Sequence, residues 1–439
     1  MLKTKIASAL LICLAFNKAT ATPIELPLGP ITSFGNASIP SSLLTLTQNP
    51  AAPAMAHGKK ESELYNSYGF GAVGVGVELG DWGTVMDKLD ALSTLDPNAI
   101  DPAQLNAVVA QVNDAFSTLN QLGYVKSSLN SAVPLFPMIY SSQDMKSVYI
   151  SADVSAQTKI NYLDSPVQVT GVDSISATGA LYTKALYRGD ISIGYSQHLM
   201  DTSIGTLYVG GKVNAISLSL HKNVQGQSID IANPGATAFT LDPSTFQYQQ
   251  SLAFGMDVGV LLTSDNLQAG LTLTNLGNPS FSYPVIGQNC STLPVAEQDS
   301  CYIAVAHSDR INLLETHVMT PQLKAEGAML SSSGNFVVAT AMDLNAVNDA
   351  TGDPVQWFTL SSAYLPQGWS GLAAPEVRLG FRKNLAGSQM GYMNIGMTLF
   401  KFLALDIAQS LNTTTINDAG NTTTVPRSLL FSLGFAANF

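Results

Sequence analysis

Five histidines, His57, His198, His221, His307 and His317, are the side chains of this sequence best suited to acid–base or metal chemistry. None belongs to an H-E-x-x-H pair, and no G-x-S-x-G nucleophile elbow is present. Ser196 and His198 come nearest to a nucleophile and base: two apart on a strand, they would point the same way. Two polar residues on a lumen or solvent face explain that spacing more simply. Gly69-Phe70-Gly71-Ala72-Val73-Gly74 has the G-x-G-x-x-G spacing, but it lies in the first strand, without a preceding strand or a βαβ context. It therefore reads as the glycines of a strand rather than a nucleotide loop. The sequons at Asn412 and Asn421 read as loop composition. The expectation is a protein without catalysis and without a cofactor.

Cys290 and Cys301 lie in a polar stretch of a chain that reads as exported. A disulfide is permitted there, and closing a loop of that size is worth about 3 kcal/mol in the chain-entropy model. Two free thiols or a metal site are the alternatives, the metal site lacking further cysteines or a histidine pair. Charged residues on alternating segments carry more information. Arg378 and Arg382 oppose Val377, Leu379 and Phe381; Asp257 opposes Met256 and Val258; Asp343 opposes Met342 and Leu344; Asp406 opposes Leu405 and Ile407. If the apolar parity faces lipid, these five line a lumen, since a basic residue on the lipid face costs about 2–4 kcal/mol at midplane.

The elements that would position them are strands. The chain is 46% apolar and only 12% charged, against about 25% charged residues in soluble domains. No stretch reaches about 18 unbroken apolar residues, so no helix can span a bilayer; the apolar residues are spread on alternate positions instead. A net charge of −11 leaves no basic stripe for nucleic acid. Lys3 and Lys5, an apolar run over Ile6–Phe16 and Ala19-Thr20-Ala21 read as a signal peptide, residues 1–21.

Residues 22–67, rich in proline, read as an irregular N-terminal segment containing Asn49, Pro50 and Ala51. Residues 81–135 read as a helical insertion: one helix over Trp82–Ser93, then a second after Asp101-Pro102 with Leu105, Val108, Val112, Phe116 and Leu119 on one face. They are expected to pack together on the barrel mouth or in its lumen. From 146 onward the pattern is strand and turn, with a register flip expected near Ala215-Ile216. About fourteen strands follow, near 68–80, 147–164, 166–186, 190–200, 204–222, 245–263, 267–276, 317–331, 335–347, 357–366, 376–383, 391–400, 402–411 and 428–439. Long connections, including 277–316, alternate with short ones, as they do in bacterial barrels. The last strand carries Phe431, Leu433, Phe435 and Phe439 on one face. It resembles the C-terminal assembly signal of outer-membrane barrels. The fold class is thus all-β: a transmembrane antiparallel β-barrel with an N-terminal plug-like segment and a helical-hairpin insertion.

Several stretches together resemble the barrel-type conjugal-transfer family TraF, distinct from the thioredoxin-like protein sharing that name, whose C-x-x-C is missing here. They are Asn49-Pro50-Ala51-Ala52, the helical insertion before Val133–Tyr140, Asp257–Leu261, Leu271–Pro279 and Arg378–Asn384, in that order over nearly the whole mature chain. The same elements look like the wider FadL group of fourteen-stranded barrels, which carry hydrophobic compounds past an N-terminal plug; no FadL ligand residue has a matching position here. The resemblance implies a Gram-negative outer-membrane protein, held in lipid and inserted by the barrel-assembly machinery. Its implied partners are conjugation envelope proteins or, in the alternative, a hydrophobic ligand taken up through the barrel.

Overall fold

The computed structural model describes residues 27–55, 64–93, 105–142, 144–165, 168–171, 174–229, 246–366, 374–418 and 421–438. Residues 1–21, the 94–104 connection with its Asp96-Pro97-Asn98 and Asp101-Pro102 signals, and Phe439 lie outside them.

Fourteen antiparallel strands close into a barrel. They are β1 (Leu64–Leu79), β2 (Tyr124–Ala132 and Met138–Ser142), β3 (Lys146–Asp164), β4 (Ser174–Thr202), β5 (Gly205–Ile229), β6 (Gln249–Thr263) and β7 (Leu267–Leu276). The second half is β8 (Gln322–Leu330), β9 (Phe336–Asp343), β10 (Trp357–Tyr364), β11 (Glu376–Asn384), β12 (Gly391–Leu399), β13 (Leu403–Ser410) and β14 (Ser428–Asn438). Each strand pairs with its sequence neighbours, and β14 closes on β1 with Val73 opposite Leu433. Outward positions are apolar and exposed, as at Ile191, Ile193, Leu252, Phe254, Leu379, Ile395 and Phe431. That is the alternation a lipid-facing wall requires. Aromatic pairs Tyr68–Tyr140, Phe336–Tyr364 and Phe400–Phe402–Phe435 ring the end with short turns, and Tyr187–Tyr248 marks the other margin.

The strand total of fourteen hides two compensating departures from the sequence reading. Residues 124–135 are not helical: the insertion ends at Leu122, and β2 begins at Tyr124. Its outward residues Val125, Ser127, Leu129 and Ser131 are only half apolar, so the alternation is faint. Conversely, 166–186 and 190–200 are not two strands with a turn at Arg188-Gly189. Ser174–Thr202 is one strand, β4, whose Arg188 and Asp190 both point inward and pair at 2.5 Å, and Gln168–Gly171 is a separate short strand paired with its start. A charged pair around a glycine mimics a turn when lumen and solvent are not distinguished. The connection near residue 165 accordingly lies at the long-loop end rather than the short-turn end. Leu64–Ser67, assigned to the N-terminal segment, are the start of β1.

Within β2, Val133–Pro137 interrupt the strand, since Pro134 and Pro137 have no N–H for the ladder. Both halves pair with β1 and with β3, so the interruption kinks one strand instead of ending it. Opposite the kink β1 carries a bulge between Gly69 and Gly71, Gly71 having a φ of 108°.

The β4 and β5 strands, 29 and 25 residues long, exceed the roughly 9–11 residues needed to cross the hydrocarbon layer and project beyond it. No register shift occurs near Ala215-Ile216. Ile216, Leu218 and Leu220 simply face inward above the membrane, buried against Phe281, Tyr283, Met319 and Ala350 from loops folded into the mouth. The helices α3 (Trp82–Ser93) and α4 (Leu105–Leu122) sit neither in the lumen nor across the mouth. Their Val85, Val112, Phe116 and Leu119 bury Tyr162 and Leu181, which share the outward parity of Val154 and Tyr187. The pair therefore covers the outer face of the projecting strands, where an apolar surface would otherwise meet water.

Candidate functional site

The lumen is occupied by residues 27–55, which contain two single-turn helices, α1 (Ile31–Phe34) and α2 (Leu43–Leu46). Hydrogen bonds tie this segment to seven strands. Ser432 Oγ (β14) accepts from Gly29 N at 2.6 Å, Asn394 Nδ2 (β12) donates to Thr32 O at 2.9 Å, and Ser33 Oγ donates to Asp406 (β13) at 3.3 Å. Asn36 Nδ2 donates to Asp343 (β9) at 3.3 Å, and Gln268 Nε2 (β7) donates to Ser38 O at 2.6 Å. Asn49 Nδ2 reaches Glu326 (β8) at 2.6 Å and Val260 O (β6) at 3.2 Å, while its Oδ1 accepts from Ala51 N at 3.0 Å.

The seat of Asn49-Pro50-Ala51 explains the glycines around it. Gly210, Gly259 and Gly270 stand on three consecutive strands, and a Cβ at any of them would collide with Asn49 or Pro50. Glu326 beneath this dent carries no basic partner within 4 Å among the described residues. It is held by donors from Asn49, Ser38 and Gln268. Satisfying a buried carboxylate requires such a set of donors.

All five inward charges read from the sequence, Asp257, Asp343, Arg378, Arg382 and Asp406, are buried. Arg378 meets Asp406 through two bonds, 3.2 and 3.0 Å, and donates to Thr398 at 2.6 Å. Asp257 pairs with Lys212 at 3.1 Å and accepts from Asn275 N at 2.9 Å. Parity reasoning passed over further lumen charges: Lys126, Lys159, Lys184, Arg188, Asp190, Lys212, Lys324 and Glu326. The same alternation signals Lys324 and Glu326 in Gln322–Leu330, between Leu323, Ala325 and Met329.

The long-loop mouth is closed by two connections. Residues 344–356 between β9 and β10 form a strap whose short hairpin pairs Val347 with Val355. Asp349 and Asp353 of this strap pair with Lys126 of β2, and Asp353 also with Lys159 of β3. Those strands lie seven positions round a fourteen-strand ring, so the strap crosses the full mouth. Burial pushes the Asp353 carboxyl up, but the ammonium groups of Lys126 and Lys159 outweigh it and hold it below the usual carboxylate range. The second connection, 277–321, carries α5 (Val295–Ala306), which packs Ile303 and Ala304 inward against Leu163, Ala180 and Val224. Cys290 and Cys301 are disulfide-bonded within it, their Cα atoms 5.4 Å apart. Tyr283 of this loop donates to Ala350 O of the strap, joining the two covers.

Between plug and covers lies a cavity of about 230 Å3. Its ionisable lining is Asp153, Arg188, Asp190, Lys212, Asp257, Lys324, Asp343 and Arg382. Ser196 and His198, the candidate nucleophile and base, share no hydrogen bond: Ser196 is buried, with its Oγ unpartnered among the described residues, and the His198 ring meets Asp201 at 3.2 Å.

Fold and lumen together define a plugged, membrane-spanning β-barrel of the outer-membrane type. Residues 46–343 match the family described as "F plasmid transfer operon, TraF, protein", and the chain belongs to that family. Comparison with curated proteins found no match. Similar solved structures include the Pseudomonas putida toluene transporter TodX, at 11% identity over 94% of this chain and 99% of that one, TM-score 0.42. A Pseudomonas aeruginosa FadL homologue is similar at 8% identity over 96% and 98%, TM-score 0.43.

Proposed function

We propose that this protein is a closed outer-membrane barrel that serves conjugative plasmid transfer in a Gram-negative envelope, without catalysing a reaction. Residues 1–21 would direct its export, and Phe431, Leu433, Phe435 and Phe439 its insertion by the barrel-assembly machinery. Family membership supports the transfer role. The observation that carries the closed state is a lumen blocked at two levels: a plug hydrogen-bonded to seven strands and a strap ion-paired across the mouth. A conduit for hydrophobic compounds needs an apolar path, whereas this cavity is lined by four basic and four acidic side chains. What remains for contact with other envelope proteins is the projecting collar: the cap with its Cys290–Cys301 disulfide and the α3–α4 pair.

A mating assay tests this reading. Deleting the gene should lower plasmid transfer frequency, and wild-type protein should restore it. Normal transfer by the deletion strain, together with faster accumulation of a toluene or fatty-acid probe by liposomes holding the protein, would replace the proposal with the uptake alternative.

A further inference from the structure

The basic side chains that face the lumen, buried or half-buried, are matched to acceptors with two exceptions. Lys126, Lys159, Lys184, Arg188, Lys212, Lys222 and Arg378 each have a carboxylate within 4.0 Å. Arg382 and Lys324 do not, and neither makes a hydrogen bond among the described residues. Arg382 is only 9% exposed, its Nε is buried without a partner, and its guanidinium lies 3.8 Å from the Trp357 ring centroid. That stack covers one face of the guanidinium plane and leaves its N–H edge for an acceptor. Lys324 stands opposite Asp343 in the β8–β9 register, yet the Asp343 oxygens are occupied by Asn36 Nδ2 at 3.3 Å and Trp357 N at 2.9 Å. Asp153 of the cavity lies beside Asp190 on the β3–β4 wall, seven strands from Trp357 and six from Arg382. On the β8–β11 side of the cavity, the N–H edge of the buried Arg382 guanidinium thus has no acceptor among the described residues, and leaving a buried donor unmatched is costly.

We infer that this side of the cavity is a binding site for a compact, hydrophilic monoanion of the carboxylate or phosphate type, held by Arg382 and Lys324 beside Trp357. An oxyanion there would accept from the guanidinium edge and the ammonium together, supplying the missing acceptor without disturbing Asp343. A cavity of about 230 Å3 falls below the roughly 300–1,000 Å3 of sites for drug-sized ligands, which favours a compact anion over a long-chain one. The inference stands on the unpartnered Arg382 edge in the cavity wall and does not depend on the transfer role.

Trp357 supplies the readout. Folded protein in detergent, verified by its heat-modifiable gel mobility, is incubated to equilibrium with acetate, inorganic phosphate or oleate while Trp fluorescence is followed. A saturable change with acetate or phosphate is expected, absent in Trp357→Phe. Arg382→Gln or Lys324→Gln should weaken it more than about thirtyfold, the lower range for removing one partner of a buried charge pair. Arg382→Lys keeps the charge and should bind more tightly than Arg382→Gln, which separates loss of the site from loss of the fold. Equal affinities in wild type, Arg382→Gln and Lys324→Gln would overturn the inference, as would a response to oleate alone or to none of the three. Mating frequency is not read here, so failure of the site and failure of the transfer role are separate results.

Discussion

Arg378 shows how a charge can be retained inside a wall whose other side is hydrocarbon. Its guanidinium meets Asp406 through two bonds and takes Thr398 as a third acceptor; Asp406 in turn accepts from Ser33 of the plug. Removing one member leaves the other buried and unpaired. Asp406→Ala is therefore expected to destabilise the barrel by about 3–5 kcal/mol, read as a lower urea midpoint for loss of heat-modifiable mobility. An unchanged midpoint would mean that water reaches the pair. Gly259 tests the plug contact: Gly259→Leu would occupy the position of the Asn49 carboxamide. The barrel should still fold, while residues 27–55 become cleavable by protease added to the folded protein. Five lumen charges were legible because each interrupts a run of apolar neighbours, as Asp406 does between Leu405 and Ile407. Lys126 was not, because Ser127 and Ser128 follow it and too little apolar contrast marks its face.

At the scale of elements, the strap and cap decide whether the mouth is covered, and both carry groups that titrate against them. The Asp353 carboxyl, held below its ordinary range, favours the closed strap above the unfolded carboxylate pKa, and that stability is lost as pH falls through the folded value. His317 of the cap, buried with its Nε2 unpartnered among the described residues, is lowered to about 4, first by burial and then by Lys184 and Arg188 against Asp349. Between about 4 and 6.5 the opened cap binds a proton that the closed one does not, so acid weakens closure through both groups. Amide exchange of 277–321 and 347–355 should thus accelerate, relative to the barrel strands and after correction for intrinsic rates, as pH drops from 7 towards 4. Uniform protection across that range would contradict this account. Strand identity was readable wherever one face was clearly apolar, as in β6, β7 and β12. It failed at β2 and at Arg188-Gly189 because sequence alternation cannot tell a charged lumen from a solvent-exposed turn. The cover on the outer face of β3 and β4 was equally hidden, since a helix stripe specifies burial but not the surface that buries it.

For the whole molecule, the sequence carries the barrel, its even strand number and the alternation of long and short connections from β4 to β10; the alternation breaks at 365–375, which is longer than 385–390 at the other end. The count survived because β2 was missed and β4 was divided, two departures that cancel. Closure was not readable, because it depends on a strap reaching lysines seven strands away and on a plug seated against glycines of three strands. Those are pairings of high sequence separation, with no local pattern to announce them. Closure is the central claim, and conductance across a planar lipid bilayer tests it most directly. The wild-type protein should insert without a steady ionic current, and Asp349→Ala combined with Asp353→Ala and Gly259→Leu should conduct stepwise once strap and plug are both released. A persistent porin-like current through the wild-type barrel at neutral pH would contradict the account.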